Sequence, residues 1–275
     1  MSIKLVAIDM DGTFLDSKCT VPKENMEAIK KAIDKGIKIV PTTGRCYRNT
    51  KEMIFTDMNE IPYYITANGA VLVDGIKEEE IFAKLMPAMT VREVYEITKR
   101  YPTFVEIYAG LDVYIDELGE QRLYQSGVSK EYAKQLTKTT IKVKSLDDII
   151  YDDNILVSKY HVLTETVEEN IKMRDEIAAI KGLNPISVVP QNVELVDGTW
   201  SKKDAIVKLI EILQIDKEEV LVIGDSNNDY EMMQWATNAV AMGNASEKIK
   251  ALASHVTATN DEAGVAQALH KYLDI

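Results

Sequence analysis

The stretch that decides the fold is LVAIDMDGT, residues 5–13 of the 275-residue chain. Four apolar residues are followed directly by Asp9, Met10 and Asp11, which predicts a short buried strand that ends in two carboxylates. Gly12 permits the backbone to leave extended structure, so that both carboxylates can face one pocket. Because ligands in open α/β sheets bind outside the carboxyl ends of the strands, the stretch predicts a site there for a metal ion and a phosphate.

Short apolar runs alternate with helical patterns near both ends of the chain. The expected strands are at residues 3–8, 37–40, 63–66, 220–223 and 239–242. The expected helices are at residues 22–35, at about 201–213 and after Asn228. This alternation predicts βαβ units, and therefore a Rossmann-like α/β core whose parallel sheet is built from two separated segments.

The middle of the chain differs from its ends in tyrosine content and in the spacing of its predicted strands. Eight of the thirteen tyrosines lie within residues 83–190, and strand-like pieces at 104–108 and 112–115 are close enough to form a hairpin. We therefore expect an inserted α+β domain at residues 83–190. The core is then discontinuous and consists of residues 1–82 and 191–275.

A second polar cluster follows another apolar strand. Residues 224–229 read GDSNND and come directly after VLVI. Carboxylate oxygens from Asp9 and Asp225, together with a backbone carbonyl, would suit Mg²⁺, which keeps waters that a substrate phosphate can displace. Either cluster alone could be a polar turn. Because both clusters lie at the ends of predicted parallel strands, together they favour a functional site.

Two further segments offer groups that could bind a phosphate. The strand at 37–40 ends in PTTGR, where a hydroxyl and backbone amides at the turn can hold phosphate oxygens. Lys202 follows Ser201 at a predicted helix start, with Asp204 placed to complete a cap. A lysine at such a place is usually a solvated surface residue. Its alternative role is to neutralise a nucleophile and a phosphoryl group.

Composition restricts the partners and the compartment. The formal net charge of -12 argues against a general affinity for nucleic acid or for an anionic membrane. Cys19 and Cys46 have no CxxC partner, which favours a reducing cytoplasm over a disulfide framework or a zinc site. Acidic residues interrupt the N-terminus before a signal-peptide core is complete. We expect a cytoplasmic monomer or weak homo-oligomer that acts on a small molecule.

Taken in order, the segments DMDGT, TTGR, WSKKDA and GDSNND resemble the four motifs of the haloacid dehalogenase-like superfamily, and specifically its Cof-type phosphatases. The strings ITANGA, VAMGNA and TNDEAGVAQAL extend this resemblance over nearly the whole chain. The resemblance implies a C2-type cap for the inserted domain, Mg²⁺ as the cofactor and hydrolysis of a small phosphorylated metabolite, such as a sugar phosphate, through an aspartyl-phosphate.

The resemblance also assigns roles to the two acidic motifs. Asp9 would be the nucleophile, and Asp11 the acid and base that protonates the leaving alcohol and then activates water. The metal would be held by Asp9, by the backbone carbonyl of Asp11 and by Asp225. Asn228 would touch the transferring group, while Asp229 would orient the active-site lysine or a metal-bound water.

Thr43 and Gly44 would bind the phosphate, and Lys202 would hold both Asp9 and the phosphate. The chain departs from the family pattern at Lys203, where a glycine is common, and at Trp200, where small residues are common. Lys203 is therefore the alternative to Lys202 as the active-site lysine. The Ser201 cap favours Lys202, because the first helical position points back toward the strand ends.

Two other functions are compatible with these motifs. A hexose phosphomutase of the same superfamily would return the phosphate to a sugar, and a sensor would bind a phosphometabolite without turnover. A sensor does not need an acid and base beside a nucleophile, so the pair Asp9 and Asp11 disfavours it. A serine hydrolase is disfavoured because the chain has no GxSxG motif.

Overall fold

The computed structural model describes residues 2–56, 58, 60–125, 130–187 and 190–275. The strands are β1 (Leu5–Ile8), β2 (Lys38–Pro41), β3 (Tyr63–Thr66), β4 (Val71–Asp74), β5 (Glu79–Ala83), β6 (Thr103–Ala109), β7 (Asp112–Asp116), β8 (Ile141–Val143), β9 (Val157–Thr164), β10 (Leu183–Ile186), β11 (Asn192–Asp197), β12 (Val220–Gly224), β13 (Asn238–Ala241) and β14 (His255–Val256). The helices are α1 (Lys23–Asp34), α2 (Tyr47–Ile54), α3 (Ala88–Thr98), α4 (Gly119–Gln125), α5 (Lys130–Lys138), α6 (Asp147–Ile150), α7 (Val167–Ala178), α8 (Lys202–Leu213), α9 (Tyr230–Trp235), α10 (Glu247–Lys250) and α11 (Gly264–Leu273).

The chain divides into two compact units. The first unit comprises Met1–Gly44, Ile54–Ile81 and Ser201–Ile275, and the second comprises Arg45–Met53 and Phe82–Trp200. The second unit therefore includes residues 191–200 and most of α2, which the sequence-based division assigns to the core. Strand β11 lies there because it pairs antiparallel with β9.

A parallel five-stranded sheet forms the centre of the first unit. Its strand order is β14-β13-β12-β1-β2. Strand β1 lies between β12 and β2, with Leu5 opposite Val220 on one side and Lys38 on the other. All four residues of β1 are fully buried, as expected for a central strand of a parallel sheet. The predicted α/β core with a parallel sheet is thus confirmed.

Strands β3, β4 and β5 form a second, smaller sheet. Thr42, directly after β2, makes a parallel bridge to Ile65 in β3. Helix α1 begins after Pro22, which suits a helix start because its ring fixes φ, and it is followed by Gly36 with a φ of 78°. The predicted helix at 22–35 agrees with α1 to within one residue at either end.

A six-stranded sheet forms the centre of the second unit, in the order β10-β11-β9-β6-β7-β8. Strands β6 and β7 are the predicted hairpin and pair antiparallel. One face of this sheet packs on α3 and α7 through an apolar cluster that includes Val94, Ile107 and Met173. The predicted additional α+β fold is confirmed by this sheet, which is antiparallel except for the parallel pair β7 and β8, and by the helices that pack on it.

The opposite face of the six-stranded sheet is mixed in character. Phe104 and Leu163 pack with apolar residues of α4 and α5. The same face carries four polar side chains that are largely buried, namely Glu106, Lys159, His161 and Glu194. They share a face because Glu106 and Glu194 both lie opposite His161 in the sheet register. Of the helices in the described parts of the chain, none is both long and apolar enough to cross a membrane.

Candidate active site

The polar segments of the first unit meet at one edge of the parallel sheet. In register, Ile8 of β1 lies opposite Pro41 of β2 and Ile223 of β12. The residues that follow these three strands therefore leave the sheet side by side, and they include Asp9, Thr43 and Asp225. Convergence of strand-end residues on one pocket is the usual geometry of sites in open α/β sheets.

The turn after β1 depends on Gly12. Its φ is 78°, a left-handed conformation that glycine adopts without strain. A Cβ atom at this position would lie 2.6 Å from Oδ2 of Asp225, so any side chain would collide with that carboxylate. The carbonyl oxygen of Gly12 accepts a hydrogen bond of 2.8 Å from Asn244 Nδ2. Gly12 thus allows the turn that carries Asp11 to lie directly against the end of β12.

Lys202 lies at the centre of the site. It is fully buried, and its Nζ donates to Oδ1 of Asp9 at 2.6 Å and to Oδ1 of Asp229 at 2.7 Å. Lys203 instead forms an ion pair with Asp204 and is about one-third exposed. The structure therefore brings Lys202, the first residue of α8, and not Lys203, to Asp9.

The start of α8 differs in one detail from the expected cap. Ser201 is the N-cap residue, but its side chain accepts no hydrogen bond from the helix backbone. Its hydroxyl donates to Oδ2 of Asp204 at 2.7 Å. The pair still fixes the first turn, because Asp204 is held over the helix N-terminus, where negative charge is favourable.

Carboxylates outnumber the ammonium in this cluster, and the pKa values reflect the excess. Burial, and then the charge of Asp229, raise the pKa of Asp9 well above its usual range, although Lys202 acts in the opposite direction. Burial and Asp229 also raise the pKa of Asp225 to about 7. For Lys202, burial lowers the pKa, but Asp229 and Asp9 outweigh it and the pKa is raised. The ammonium is therefore firmly charged, while the carboxylates need further positive charge to ionise fully.

A divalent cation fits this excess of negative charge. Carboxylate oxygens of Asp9, Asp225 and Asp229 all lie within 4.8 Å of one another. Asp229 is already engaged, because Oδ1 accepts from Lys202 and Oδ2 accepts from the backbone N–H groups of Asp225 and Ser226 at 3.0 and 3.1 Å. Asp9 and Asp225 are thus the carboxylates best placed to hold a cation, and oxygen ligands suit a hard divalent ion.

The residues predicted to bind phosphate lie around the same sheet edge. Thr43 is buried, its backbone N–H donates to Ile65 O at 2.9 Å, and Gly44 follows it. Asn228 is half-buried in the turn after β12. Asp11 is exposed, two residues beyond the buried Asp9. One unit thus contains all the predicted site residues, which are Asp9, Asp11, Thr43, Gly44, Lys202, Asp225, Asn228 and Asp229.

Sequence reasoning missed two residues of this site. The Oγ1 hydroxyl of Thr13 donates to Oδ1 of Asp225 at 2.8 Å, and this bond opposes the rise in the pKa of Asp225. Asn68 accepts at Oδ1 a hydrogen bond of 3.1 Å from Asn228 Nδ2. Both residues stand inside recognised strings, DMDGT and ITANGA, but spacing alone does not reveal contacts with residues more than 150 positions away.

Comparisons with known proteins agree with this geometry. The chain matches the sequence family described as haloacid dehalogenase-like hydrolase over residues 6–269. Phosphatase YwpJ of Bacillus subtilis is 30% identical, with 98% of this chain and 100% of the relative covered. The 5-amino-6-(5-phospho-D-ribitylamino)uracil phosphatase YcsE of the same organism is 28% identical, with 99% and 97% covered. A solved haloacid dehalogenase-like hydrolase from B. subtilis has a TM-score of 0.84 at 29% identity, with 97% and 99% covered.

Proposed function

The chain belongs to the haloacid dehalogenase-like hydrolase family and is a phosphatase of that family, and from this premise we propose that it hydrolyses a small phosphomonoester through an aspartyl-phosphate on Asp9, with Mg²⁺ as its cofactor. The observation that carries the proposal is the contact of Lys202 with Asp9. A buried carboxylate at a strand end, held by a fully buried ammonium at 2.6 Å, is an oriented nucleophile.

The first half of the reaction forms the bond between Asp9 and phosphorus. Lys202 holds Oδ1 of Asp9, so Oδ2 is the oxygen that attacks. As the bond from Oδ2 to phosphorus forms, the bond from phosphorus to the leaving oxygen breaks, and Asp11 donates a proton to that oxygen. Thr43, Gly44 and Asn228 hold the other phosphoryl oxygens during this transfer.

The second half returns Asp9 to its free state. Asp11, now ionised, accepts a proton from a water molecule whose oxygen attacks phosphorus, and the bond to Oδ2 of Asp9 breaks. Inorganic phosphate leaves, and Asp11 again carries a proton. A bound Mg²⁺, held by Asp9, Asp225 and the carbonyl of Asp11, would neutralise negative charge that builds up on the phosphoryl group.

We further propose that the substrate is a sugar phosphate or a similar phosphomonoester. The support comes from the relative YcsE, whose name describes a substrate with the phosphate on a ribityl chain. The purified protein, supplied with Mg²⁺ and a panel of phosphorylated metabolites, should release inorganic phosphate from one compound far faster than from the rest. An Asp9→Asn variant should release none.

The same assay separates the alternatives. With a hexose 1-phosphate, a phosphomutase would yield the 6-phosphate without free phosphate. A sensor would bind a compound of the panel and leave it intact. Either result would overturn the proposal of a hydrolase.

A further inference from the structure

Three consecutive residues between β3 and β4 lie in the left-handed region of backbone space. Their φ values are 51° for Ala67, 57° for Asn68 and 95° for Gly69. Residues with a Cβ avoid this region, although asparagine tolerates it better than alanine. Left-handed backbone at an alanine is retained only where the surrounding contacts hold it, and such places are concentrated at functional sites.

This turn contacts two segments of the candidate site through its backbone. The N–H of Asn68 donates to the carbonyl oxygen of Thr43 at 3.0 Å. A Cβ atom at Gly69 would lie 2.4 Å from the carbonyl oxygen of Ser201 and 2.6 Å from the backbone nitrogen of Lys202. Only a glycine can therefore bring the turn this close to the start of α8, and the turn supports both the Thr43 loop and the helix that carries Lys202.

The third contact is made by the side chain of Asn68, which is only 2% exposed. Its Oδ1 accepts a hydrogen bond from Asn228 Nδ2 at 3.1 Å. At the other end of the same amide, Oδ1 of Asn228 accepts from Ser226 Oγ at 2.6 Å. The Asn228 amide is thus held at both ends, so the direction of its second N–H is determined.

We propose that Asn68 is a positioning residue that acts through Asn228. Asn68 orients the second N–H of Asn228 toward an oxygen of the transferring phosphoryl group. The left-handed backbone of the turn brings Oδ1 of Asn68 within hydrogen-bond distance of Asn228. This inference rests on the proposed phosphatase function and adds a residue to it. Asn68 itself does not touch the substrate.

A double-mutant cycle tests the proposal. Asn68→Gly removes the amide but leaves a residue that adopts the observed φ without strain. It should lower kcat on p-nitrophenyl phosphate about tenfold, which is the rate effect expected when one hydrogen bond to the transition state is weakened. KM should change less than about twofold. In an Asn228→Ala background, Asn68→Gly should cause no further loss, because the residue through which Asn68 acts is absent.

A matched control is available in the same unit. Gln214 follows the C-terminal end of α8, has a φ of 53° and carries the same amide group. Gln214→Gly should leave kcat and KM at their wild-type values. Thermal midpoints of all variants, measured in parallel, separate a loss of folding from a loss of catalysis.

The same double-mutant cycle can be measured without turnover, as the affinity of each variant for orthovanadate in calorimetry with Mg²⁺. Affinity should fall about tenfold in Asn68→Gly and no further in the double variant. Additive losses in both cycles, or wild-type kinetics and binding in Asn68→Gly, would overturn the proposal. If the wild type released no phosphate but the orthovanadate cycle showed coupling, the proposed function would fail and the role of Asn68 would stand.

Discussion

The two units of the chain both bury charged side chains, but they do so in different proportions. In the first unit, the carboxylates of Asp9, Asp225 and Asp229 lie within 4.8 Å of one another, and the ammonium of Lys202 contacts two of them, Asp9 and Asp229. In the second unit, Lys159 pairs with Glu194 at 2.8 Å. On the same face of that sheet, His161 contacts Glu106 at 2.6 Å, so each of these acids has its own basic partner.

The difference shows which buried charges are arranged for chemistry. The ammonium of Lys159 and the carboxylate of Glu194 carry opposite charges 2.8 Å apart, so each offsets the charge of the other. The cluster around Lys202 has an excess of carboxylates, and the raised pKa values of Asp9 and Asp225 are the physical expression of that excess. A bound cation would balance the first cluster, whereas Lys159 and Glu194 of the second unit already carry opposite charges.

Removal of the metal should give the largest effect in this comparison. Because Asp9, Asp225 and a substrate phosphate repel one another at close range, we expect EDTA to abolish turnover and added Mg²⁺ to restore it. Calcium should inhibit, because it prefers more ligands and looser geometry. Phosphate release in a chelated, metal-free assay is the measurement, and full activity there would refute the role of the metal.

Substitution of the two adjacent lysines should give the next largest effect. Lys202→Gln removes the only ammonium that contacts Asp9 among the described hydrogen bonds, so turnover should fall about 10²- to 10³-fold, as for loss of one electrostatic donor. Lys203→Gln is the matched control and should retain turnover within about twofold, because Lys203 pairs with Asp204 at the surface. Equal losses in the two variants would contradict the assignment of Lys202.

Neutralising one acid in each cluster should change stability in opposite directions. Glu194→Gln removes the negative charge that lies 2.8 Å from the buried ammonium of Lys159 and should destabilise the protein by about 3 kcal/mol. Asp225→Asn reduces the repulsion with Asp229 and should raise the thermal midpoint of the metal-free protein at pH 8. Midpoints that fell in both variants would show that the first cluster carries no excess charge.

The pH dependence of the metal-free protein should give the smallest effect. The pKa of Asp225 is about 7 in the folded protein, above the ordinary value of 3.8, so the folded state binds more protons between these pH values. Stability should therefore decrease as pH rises from about 4 to 7. Thermal midpoints of the metal-free protein should be several degrees lower at pH 8 than at pH 5. Mg²⁺ should raise the midpoint more at pH 8, and equal increments at both pH values would contradict this.

The sequence predicts the first cluster well because its signals are local. Asp9 and Asp225 each follow an apolar run, and the parallel-sheet rule places such strand ends at one edge. Lys202 is predictable as the first residue of helix α8, directly after the N-cap residue Ser201. Thr13 and Asn68 are not, because their partners lie 212 and 160 residues away. Those contacts depend on the folded chain.

The organisation of the second unit is harder to predict, because it also depends on pairing between strands that are distant in sequence. Residues 192–197 form β11, which pairs with β10 and β9, so the expected boundary between 190 and 191 separates β11 from the sheet to which it belongs. The buried Glu106 and His161 lie opposite each other on neighbouring strands, and no spacing in the sequence reveals that register.

Passage of the phosphoryl group through Asp9 is tested most directly by trapping the acyl phosphate. Asp11→Asn should slow the attack of water, so the acyl phosphate should accumulate when this variant turns over p-nitrophenyl phosphate, whose leaving group needs little protonation. After rapid quench, borohydride reduction followed by peptide mapping should find homoserine at position 9 alone. Asp9→Asn, treated identically, should give none. Turnover by Asp9→Asn at a rate comparable to the wild type, or a trapped acyl phosphate on any other residue, would contradict the account.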